Sequence, residues 1–254
     1  MISVITITFN NYEELIQTTN SLIGVENIEH IIINGGKCEK TLKFLNEEFK
    51  GVSISEPDKG ISDAFSKGAR LASGKAIAYL NSGDIYIGKN YYSLAEELLI
   101  ANPDIDFIHS NLLFKDTLAG ELIMRPTMST LGSGMPYFHP TMVVRKSVFD
   151  RIGYFSLDKK IGMDFDFVCK MEKANMKGKY LDGFPVVLMD GSGVSATQEQ
   201  KALKECLDSL KTHGLYNAVS AKDFYLRMIK LQIRLFLIKN FPNIMIRIKR
   251  IKHS

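Results

Sequence analysis

An α/β fold with a mostly parallel sheet is predicted for this chain of 254 residues. Short runs of β-branched and apolar residues alternate with stretches that carry apolar residues three and four positions apart. That alternation is typical of βαβ units, in which neighbouring strands run parallel. Each of the first four runs also ends in a polar or glycine-rich turn. Because parallel strands end at the same edge of a sheet, these turns are expected to form one site.

The first half of the chain supplies four strands and three helices in alternation. The predicted strands are residues 2–9, 30–33, 52–55 and 76–80. The predicted helices are residues 12–23, 39–49 and 61–72. The turns that follow the strands are residues 10–11, 34–36, 57–60 and 82–84.

The second half is less regular. Its predicted helices are residues 90–101, 147–152, 163–175 and 199–213, and its predicted strands are 107–114, 141–145 and 183–189. A loop at 128–138, rich in Gly, Ser and Met, is interpreted as able to close over a substrate, although its composition also fits an idle surface loop. We predict one domain over 1–221, with halves of about 1–100 and 101–221, and a tail over 222–254.

The charge distribution separates the tail from the body. From Lys222 onward there are nine Lys and Arg against a single acid, Asp223, whereas the preceding body has 23 basic and 27 acidic residues. An acidic body lacks the excess of basic residues that is typical of nucleic-acid-binding proteins, so no nucleic-acid partner is expected. Three scattered cysteines without metal-ligand spacing are typical of reduced thiols in a cytoplasmic protein. Neither a signal peptide nor a membrane-spanning segment is predicted.

The tail is predicted to be a basic amphipathic helix at a membrane surface. Arg227, Lys230 and Arg234 lie three and four residues apart, Pro242 interrupts the pattern, and further apolar and basic residues follow. Helices of this composition lie in the interface of anionic membranes. The competing interpretation is a helix that packs on the body and leaves its charges solvated.

The most informative single residue is Asp84, which follows the apolar strand 76–80. A carboxylate at a strand end, beside Asn81 and freed by Gly83, suits a divalent cation that itself holds a phosphate. The alternative is an Asp-containing turn in solvent.

Several motifs, taken in order, resemble the inverting family-two glycosyltransferases with the GT-A fold, especially those of bacterial O-antigen and exopolysaccharide clusters. The resemblance covers about residues 2–196. The motifs are VITITFN at 4–10, IIINGG at 31–36, EPDKGISDA at 56–64, KG at 67–68, ASG at 72–74, LNSGD at 80–84, HPT at 139–141, RK at 145–146, IGYF at 152–155, GMDFD at 162–166 and GSGVS at 191–195.

The resemblance implies that the first half binds a nucleotide-sugar donor, with UDP as the nucleotide. The donor-binding positions that it implies are Thr8, Asn10, Asn34, Asp58, Asn81 and Gly83. Relatives usually carry Asp where this chain has Asn34, and an amide can both donate and accept hydrogen bonds whereas a carboxylate only accepts. The alternative role for Asn34 is turn chemistry alone.

The resemblance also implies the catalytic residues. Asp84 would hold Mn²⁺ or Mg²⁺, although relatives usually have two acids in this loop, and Asp164 would be the general base. Asp164 could instead be a helix N-cap. Candidates for substrate positioning are His139, which opens a predicted His-Pro-Thr strand, together with Asp63, Asp166 and Ser195.

Together these features predict an inverting, metal-dependent hexosyltransferase. The implied acceptor is an undecaprenyl-diphosphate-linked sugar, and the implied location is the inner face of the cytoplasmic membrane. The alternative is a catalytically silent nucleotide-sugar-binding or scaffold protein. A nucleotidyltransferase would need a glycine-rich phosphate loop after the first strand, which residues 8–11 do not provide.

Overall fold

Two sheets organise the part of the chain that the computed structural model describes, residues 1–116, 120–127, 130–190 and 198–240. The strands are β1 (Ile2–Thr8), β2 (Ile28–Asn34), β3 (Val52–Ser55), β4 (Ala76–Tyr79), β5 (Ile85–Tyr86), β6 (Phe107–Ser110), β7 (Leu112–Asp116), β8 (Gly120–Met124), β9 (Val143–Arg145), β10 (Gly178–Leu181) and β11 (Val187–Asp190). The helices are α1 (Tyr12–Ser21), α2 (Glu39–Glu47), α3 (Ile61–Leu71), α4 (Tyr91–Ala101), α5 (Lys146–Ile152), α6 (Met163–Lys173), α7 (Glu199–Thr212) and α8 (Ala218–Asn240).

The main sheet has seven strands in the order β10-β6-β9-β4-β1-β2-β3. Strand β9 is antiparallel to both β4 and β6, and the other neighbouring pairs are parallel. The carboxyl ends of the six remaining strands therefore lie along one edge. The predicted α/β fold with a mostly parallel sheet is confirmed.

Side chains from both faces of the sheet are buried, which explains why its central strands are continuous apolar runs. In β4, Ile77 and Tyr79 belong to a cluster with α3, α5 and α6, whereas Ala76 and Ala78 belong to a cluster with α4. A smaller sheet, in the order β5-β11-β7-β8, is built from the loops beyond the carboxyl edge.

Three predicted strands of the second half differ from the structure. The run 107–114 is two strands in different sheets, because fully buried Asn111 separates β6 from β7. The run 141–145 contains only β9, since His139–Thr141 is a 3-10 turn and the prediction that His139 opens a strand is wrong. The run 183–189 overlaps β11, but the edge strand β10 was not predicted.

The loop 130–138 is fastened to the C-terminal helix at its start. The hydroxyls of Thr130 and Ser133 donate to Asp223 Oδ2 over 3.0 and 2.9 Å. Gly132 lies so close to α8 that an added Cβ would stand 2.4 Å from Ser220 Cα. This part of the loop, interpreted as a lid, is thus fixed to α8, and residues 128–129 lie outside the described part of the chain.

Helix α8 begins before the predicted tail, so the boundary between 221 and 222 falls inside one helix. Phe224 and Leu231 are buried against Leu203 of α7, and Arg234 pairs with Glu199. This face matches the competing interpretation of a helix packed on the body. None of the helices in the described residues combines the length and the apolar composition of a membrane-spanning segment. The remainder of the tail, 241–254, lies outside the described residues.

Candidate functional site

The carboxyl edge of the main sheet brings together the loops that follow β1, β2, β3 and β4. The amide of Gly35 donates to Thr8 O over 3.1 Å, and that of Glu56 donates to Asn34 O over 3.1 Å. The amide of Ser82 donates to Ile7 O over 3.3 Å. The predicted clustering of these four strand ends is therefore observed.

The loop after β1 is braced by asparagine side chains. Asn10 has a left-handed backbone, with φ of 57°, and its Oδ1 accepts from Lys37 N and Cys38 N over 2.8 and 3.0 Å. The Thr8 hydroxyl donates to Asn11 Oδ1 over 2.6 Å. Asn10 therefore joins the first loop to the second. Asn11 was not singled out from the sequence, although a polar residue just before a helix is a recognisable signal.

Asn34 is fully buried and organises the turn after β2. Its Nδ2 donates to Ser55 Oγ over 2.8 Å and to Gly36 O over 3.1 Å, while its Oδ1 accepts from Gly36 N over 3.0 Å. Both amide protons are thus used inside the protein. This arrangement is the turn chemistry that was the alternative to base recognition.

Asp58 lies directly against the turn after β2. A Cβ on Gly35 would stand 1.9 Å from Asp58 Oδ2, so a larger residue here would displace the Asp58 carboxylate. Asp58 Oδ1 accepts from Gly60 N over 2.8 Å, which orients the carboxylate. Asp58 and the turn at 34–36 therefore form one wall of the edge.

Asp63 shapes the loop between β3 and α3. Its Oδ2 accepts from Lys59 N over 2.9 Å and lies 3.5 Å from Lys67 Nζ. The bond from the Lys59 amide is the largest cause that holds the pKa of Asp63 below its usual value. Lys67 also contacts Glu56 at 2.9 Å. The contacts of Asp63 are thus those of a loop-organising carboxylate.

Asp84 is buried, with 6% of its surface exposed, in the loop that links β4 to β5. Burial raises its pKa to about 7, and the bond from Asn81 N to Asp84 Oδ2, 3.0 Å, opposes that rise. Thr18 of α1 holds the loop, because its hydroxyl contacts Asp84 O at 2.8 Å and accepts from Gly83 N over 2.9 Å. A carboxyl with this pKa gains from a cation that would hold it ionised.

Two further oxygens of the same loop are buried without a hydrogen-bond partner in the described structure, Asn81 Oδ1 and Ser82 Oγ. Buried polar atoms are normally paired, so unpaired oxygens beside a buried carboxylate fit a hard cation such as Mg²⁺ or Mn²⁺. No group of three or more His, Cys, Asp or Glu side chains that could hold a metal occurs among the described residues. Further ligands would have to come from a bound diphosphate or from water.

Asp164 lies in the first turn of α6. The helix begins at Met163 with Gly162 as its N-cap residue, so the alternative reading of Asp164 as the N-cap is wrong. Its Oδ1 accepts from Phe165 N over 2.7 Å, and burial raises its pKa to about 6. A carboxyl with that pKa is ionised at neutral pH and remains basic enough to take a proton.

The segment that leads into α6 is held by a carboxylate from α7. Glu205 Oε2 accepts three consecutive amides, from Lys160, Ile161 and Gly162, over 3.0, 2.8 and 2.9 Å. Glu205 was not singled out from the sequence, and no local pattern around it signals this role. It fixes the backbone immediately before Asp164.

Asp166 is 1% exposed and lies on the far side of the first turn of α6. It accepts from Ser156 Oγ over 2.6 Å and lies 2.9 Å from His213 Nε2. Burial would raise its pKa, but these hydrogen bonds outweigh burial and lower it. Asp166 therefore has the surroundings of a carboxylate that supports its helix. His213 was not singled out from the sequence.

His139 is placed by its 3-10 turn against the aromatic core. Its ring lies 5.3 Å from Phe65 and 5.1 Å from Tyr79, nearly parallel to both. Burial lowers the pKa of His139 to about 4, so the ring is neutral at physiological pH. Its role is thus packing or uncharged hydrogen bonding. Ser195 lies outside the described residues.

Comparisons with known proteins agree with this architecture. The sequence model described as glycosyl transferase family 2 matches residues 3–160. The chain is 29% identical over 178 residues to an uncharacterized glycosyltransferase of Mycobacterium tuberculosis strain H37Rv, which covers 66% of this chain and 68% of the relative. An uncharacterized glycosyltransferase of strain CDC 1551 matches equally well.

Solved structures of S. aureus TarS, residues 1–349, share the fold. The structure in complex with UDP-GlcNAc has a TM-score of 0.65 at 14% identity, and covers 88% of this chain and 70% of that one. The structure in complex with UDP has a TM-score of 0.63 at 15% identity, and covers 88% and 69%. At these identities the similarity establishes the fold.

Proposed function

Because the chain belongs to glycosyl transferase family 2, we propose that it moves a hexose from a UDP-linked donor to a lipid-linked glycan. The transfer inverts the anomeric centre and depends on a divalent metal. The observation that carries the proposal is the pair of carboxyls on the carboxyl edge whose pKa values burial raises, Asp84 to about 7 and Asp164 to about 6. Carboxyls shifted in this way cluster at functional sites.

The donor would occupy the wall formed by the loops after β1 to β4. Thr8, Asn10 and the turn at Asn34 surround the place proposed for the base, and Asp58 stands beside them. The choice of UDP is supported by the TarS structures, whose ligands are UDP and UDP-GlcNAc. Because the Asn34 amide is already bonded within the turn, recognition of the base would fall to backbone groups and to neighbouring side chains.

The metal would be held by Asp84, with the unpaired oxygens of Asn81 and Ser82 close to it in the chain. When bound, Mn²⁺ or Mg²⁺ would neutralise charge on the departing nucleoside diphosphate. The single carboxylate predicts weak metal affinity in the absence of nucleotide.

Asp164 would take the proton of the acceptor hydroxyl. The freed oxygen attacks the anomeric carbon, the bond from that carbon to the diphosphate oxygen breaks, and the configuration inverts. General-base assistance of this kind contributes roughly 10²–10⁴-fold to the rate. Glu205 and the Asp166–His213 pair would keep α6 in position while this occurs.

The acceptor would be a lipid-linked sugar, such as an undecaprenyl-diphosphate glycan of a surface polysaccharide or O-antigen, met at the inner face of the cytoplasmic membrane. The exposed face of α8 supports this part of the proposal. Tyr225, Ile229 and Ile233 are each more than half exposed, on the side opposite buried Phe224 and Leu231. Residues 241–254 add four Lys and Arg and no acid, which favours an anionic lipid surface.

The decisive test is thermal stability with a panel of nucleoside diphosphates, with and without Mn²⁺, on the wild type and Asp84→Ala. A ligand at about a hundred times its dissociation constant adds about 2.7 kcal/mol of stability. We expect a shift with UDP that needs Mn²⁺ and is lost in Asp84→Ala. If no nucleotide stabilises the wild type, the proposal is wrong.

A second candidate function is a silent nucleotide-sugar-binding or scaffold protein. It is favoured by the internally bonded Asn34 and by the lone acid in the metal loop. It predicts that UDP binds but that donor turnover is absent and is the same in Asp164→Asn as in the wild type. Measuring UDP release from UDP-hexoses with both proteins separates the two functions.

A further inference from the structure

The loop after β10 presents an aromatic ring to solvent. Phe184 is 91% exposed, the largest exposure of any large apolar side chain that the structure describes, whereas Pro185 and Val186 directly behind it are buried. Burying such a side chain would stabilise the fold, so its exposure is unfavourable unless a ligand covers it. The loop is anchored yet turns its most apolar side chain outward, so the ring is available to a ligand.

A rigid polar cluster lies next to this ring. Asp182 Oδ1 accepts from Tyr180 Oη over 2.8 Å, from Gly183 N over 2.9 Å and from Asn111 Nδ2 over 3.2 Å. Asn111, fully buried, also donates to Gly183 O over 2.7 Å. The amide of Val186 donates to Asn111 O over 3.1 Å, so both ends of the loop are tied to the end of β6.

The second oxygen of this carboxylate faces a different situation. Within the described ranges, no donor contacts Asp182 Oδ2, although Asp182 itself is exposed. The hydrogen bond from Tyr180, followed by those from Asn111 and Gly183, holds the pKa of Asp182 below its usual value. The side chain is an oriented, ionised acceptor with one oxygen open to a ligand.

The polar cluster lies on the carboxyl edge of the main sheet. Leu181 at the end of β10 pairs with Ser110 at the end of β6, and both strands end at the same edge as β4. Three strand spacings, from β4 through β9 and β6 to β10, place the cluster roughly 14 Å from the Asp84 loop at about 4.8 Å per strand. That position is on the half of the edge that is proposed to bind the acceptor.

We propose that Phe184 and Asp182 form a carbohydrate-binding subsite that holds a sugar of the acceptor glycan. The ring packs on the carbon–hydrogen face of a pyranose, and Asp182 Oδ2 accepts hydrogen bonds from adjacent hydroxyls at its rim. A pyranose has an apolar face and a polar rim, so one exposed ring beside one oriented acceptor matches it. Only the assignment of the sugar to the acceptor rests on the proposed function.

A protein partner fits the surroundings less well. A stable protein interface covers about 800 Å² per partner around an apolar centre. Phe184 is instead bordered by Asp182 and Gly183, and Arg125 is close enough to lower the pKa of Asp182. A single apolar ring within a charged and polar rim favours a small amphipathic ligand.

The absence of tryptophan from the sequence allows a direct test. Phe184→Trp places a sole tryptophan in the subsite, and Ile23→Trp places one at another exposed apolar position, 76% exposed beyond the end of α1. Both proteins are titrated, without nucleotide, with methyl β-glucopyranoside, methyl β-galactopyranoside and diacetylchitobiose. Glycerol serves as the acyclic polyol control.

We expect a saturable change of emission in Phe184→Trp with at least one of the three sugars and none with glycerol. Ile23→Trp should not respond, and Asp182→Asn in the Phe184→Trp background should weaken the affinity at least tenfold, since charged acceptors form stronger hydrogen bonds. A flat titration with all three sugars, or an equal response in Ile23→Trp, would overturn the subsite.

Turnover gives a second readout. With a competent acceptor, Phe184→Ala should raise the acceptor KM at least tenfold and leave kcat and the UDP-induced stabilisation unchanged. A loss of kcat with an unchanged acceptor KM contradicts the subsite. Sugar binding without any nucleotide stabilisation would refute the proposed transferase but not the subsite, whereas nucleotide stabilisation with flat sugar titrations would do the reverse.

Discussion

The loops after β1 to β4, which form the proposed donor wall, and helix α6, which carries the proposed base, are held in place in opposite ways. The loops after β1 to β4 fasten one another within the first 84 residues, through bonds such as those from the amides of Lys37 and Cys38 to Asn10 Oδ1. Helix α6 is held from downstream, by Glu205 and His213. The donor wall is thus a local product of strand ends, whereas the position of the proposed base depends on α7 and the residues after it.

This difference has a practical meaning for mutagenesis. Changes in the donor wall should affect nucleotide binding and local stability together, because the same bonds serve both. Changes in the supports of α6 should separate turnover from nucleotide binding. Four experiments test that separation, from the largest expected effect to the smallest.

Asp164→Asn should abolish most turnover while nucleotide binding persists. Loss of a general base costs roughly 10²–10⁴-fold in kcat. UDP-induced stabilisation should match the wild type, since Asp164 lies on α6 rather than in the donor loops. The control is Asp150→Asn, an exposed acid on α5. Equal loss of nucleotide binding in Asp164→Asn would show that the two regions are not separable.

Gly35→Ala should damage the donor wall selectively. The added methyl would stand 1.9 Å from Asp58 Oδ2, and overpacking of this kind costs about 1–3 kcal/mol. Chemical denaturation should show the loss, and UDP affinity should fall with it. Removing the clash with Asp58→Gly should restore part of the stability of Gly35→Ala. If that double variant is no better, the crowding is not with Asp58.

Glu205→Ala should lower kcat about tenfold and leave UDP binding intact. Three backbone amides lose their acceptor, one in an exposed and two in part-buried bonds, so the loss of stability should be below the about 1–3 kcal/mol of a fully buried unsatisfied donor. Hydrogen exchange should accelerate at residues 160–162. Glu205→Gln keeps an acceptor oxygen, so its kcat should lie between those of the wild type and Glu205→Ala. Lys204→Ala, a change at an exposed neighbouring residue, should behave as the wild type. Unchanged exchange in Glu205→Ala would refute the support.

Asp84 and Asp164, whose pKa values are both raised by burial, should give nucleotide binding and turnover separate pH profiles. Metal-dependent UDP binding requires ionised Asp84, so it should weaken about tenfold for each pH unit below about 7. The contribution of Asp84 to folding stability changes with pH in the opposite direction to its contribution to UDP binding. Because the pKa of Asp84 is raised on folding, its contribution is full at pH below the unfolded value and is lost as pH rises through about 7.

These profiles are measured by calorimetric titration of UDP with Mn²⁺ and by denaturation across the same pH range. With saturating substrates, turnover should fall instead as pH drops through about 6, the pKa of Asp164. Nucleotide binding that is flat between pH 5 and 8 would contradict the role of Asp84.

The sequence predicts the donor wall well because its signals are local. The four strands from β1 to β4 begin and end within two residues of their predicted bounds, and their polar ends meet as the parallel topology requires. The exact use of each side chain was less predictable. Asn34 was assigned to donor binding with turn chemistry as the alternative, and only its contacts with Ser55 and Gly36 reveal the bonds that it makes.

The second half was predicted less well because tertiary contacts decide its structure. A continuous apolar run at 107–114 gives no sign that Asn111 ends one strand and that a different sheet takes up the next. The supports of α6 are separated from it by more than thirty residues of sequence. No local sequence pattern indicates that Glu205 of α7 accepts hydrogen bonds from the three backbone amides that precede α6.

The contact between Gly132 and α8 has a geometric consequence. A Cβ on Gly132 would stand only 2.4 Å from Ser220 Cα, and Asp223 accepts hydrogen bonds from Thr130 and Ser133. Helix α8 is therefore fixed rigidly to the rest of the domain. If its outer face rests on a bilayer as proposed, the tilt of the whole enzyme follows. The height of the carboxyl edge above the bilayer, and so the position at which it meets a lipid-linked sugar, would then be set by this one helix.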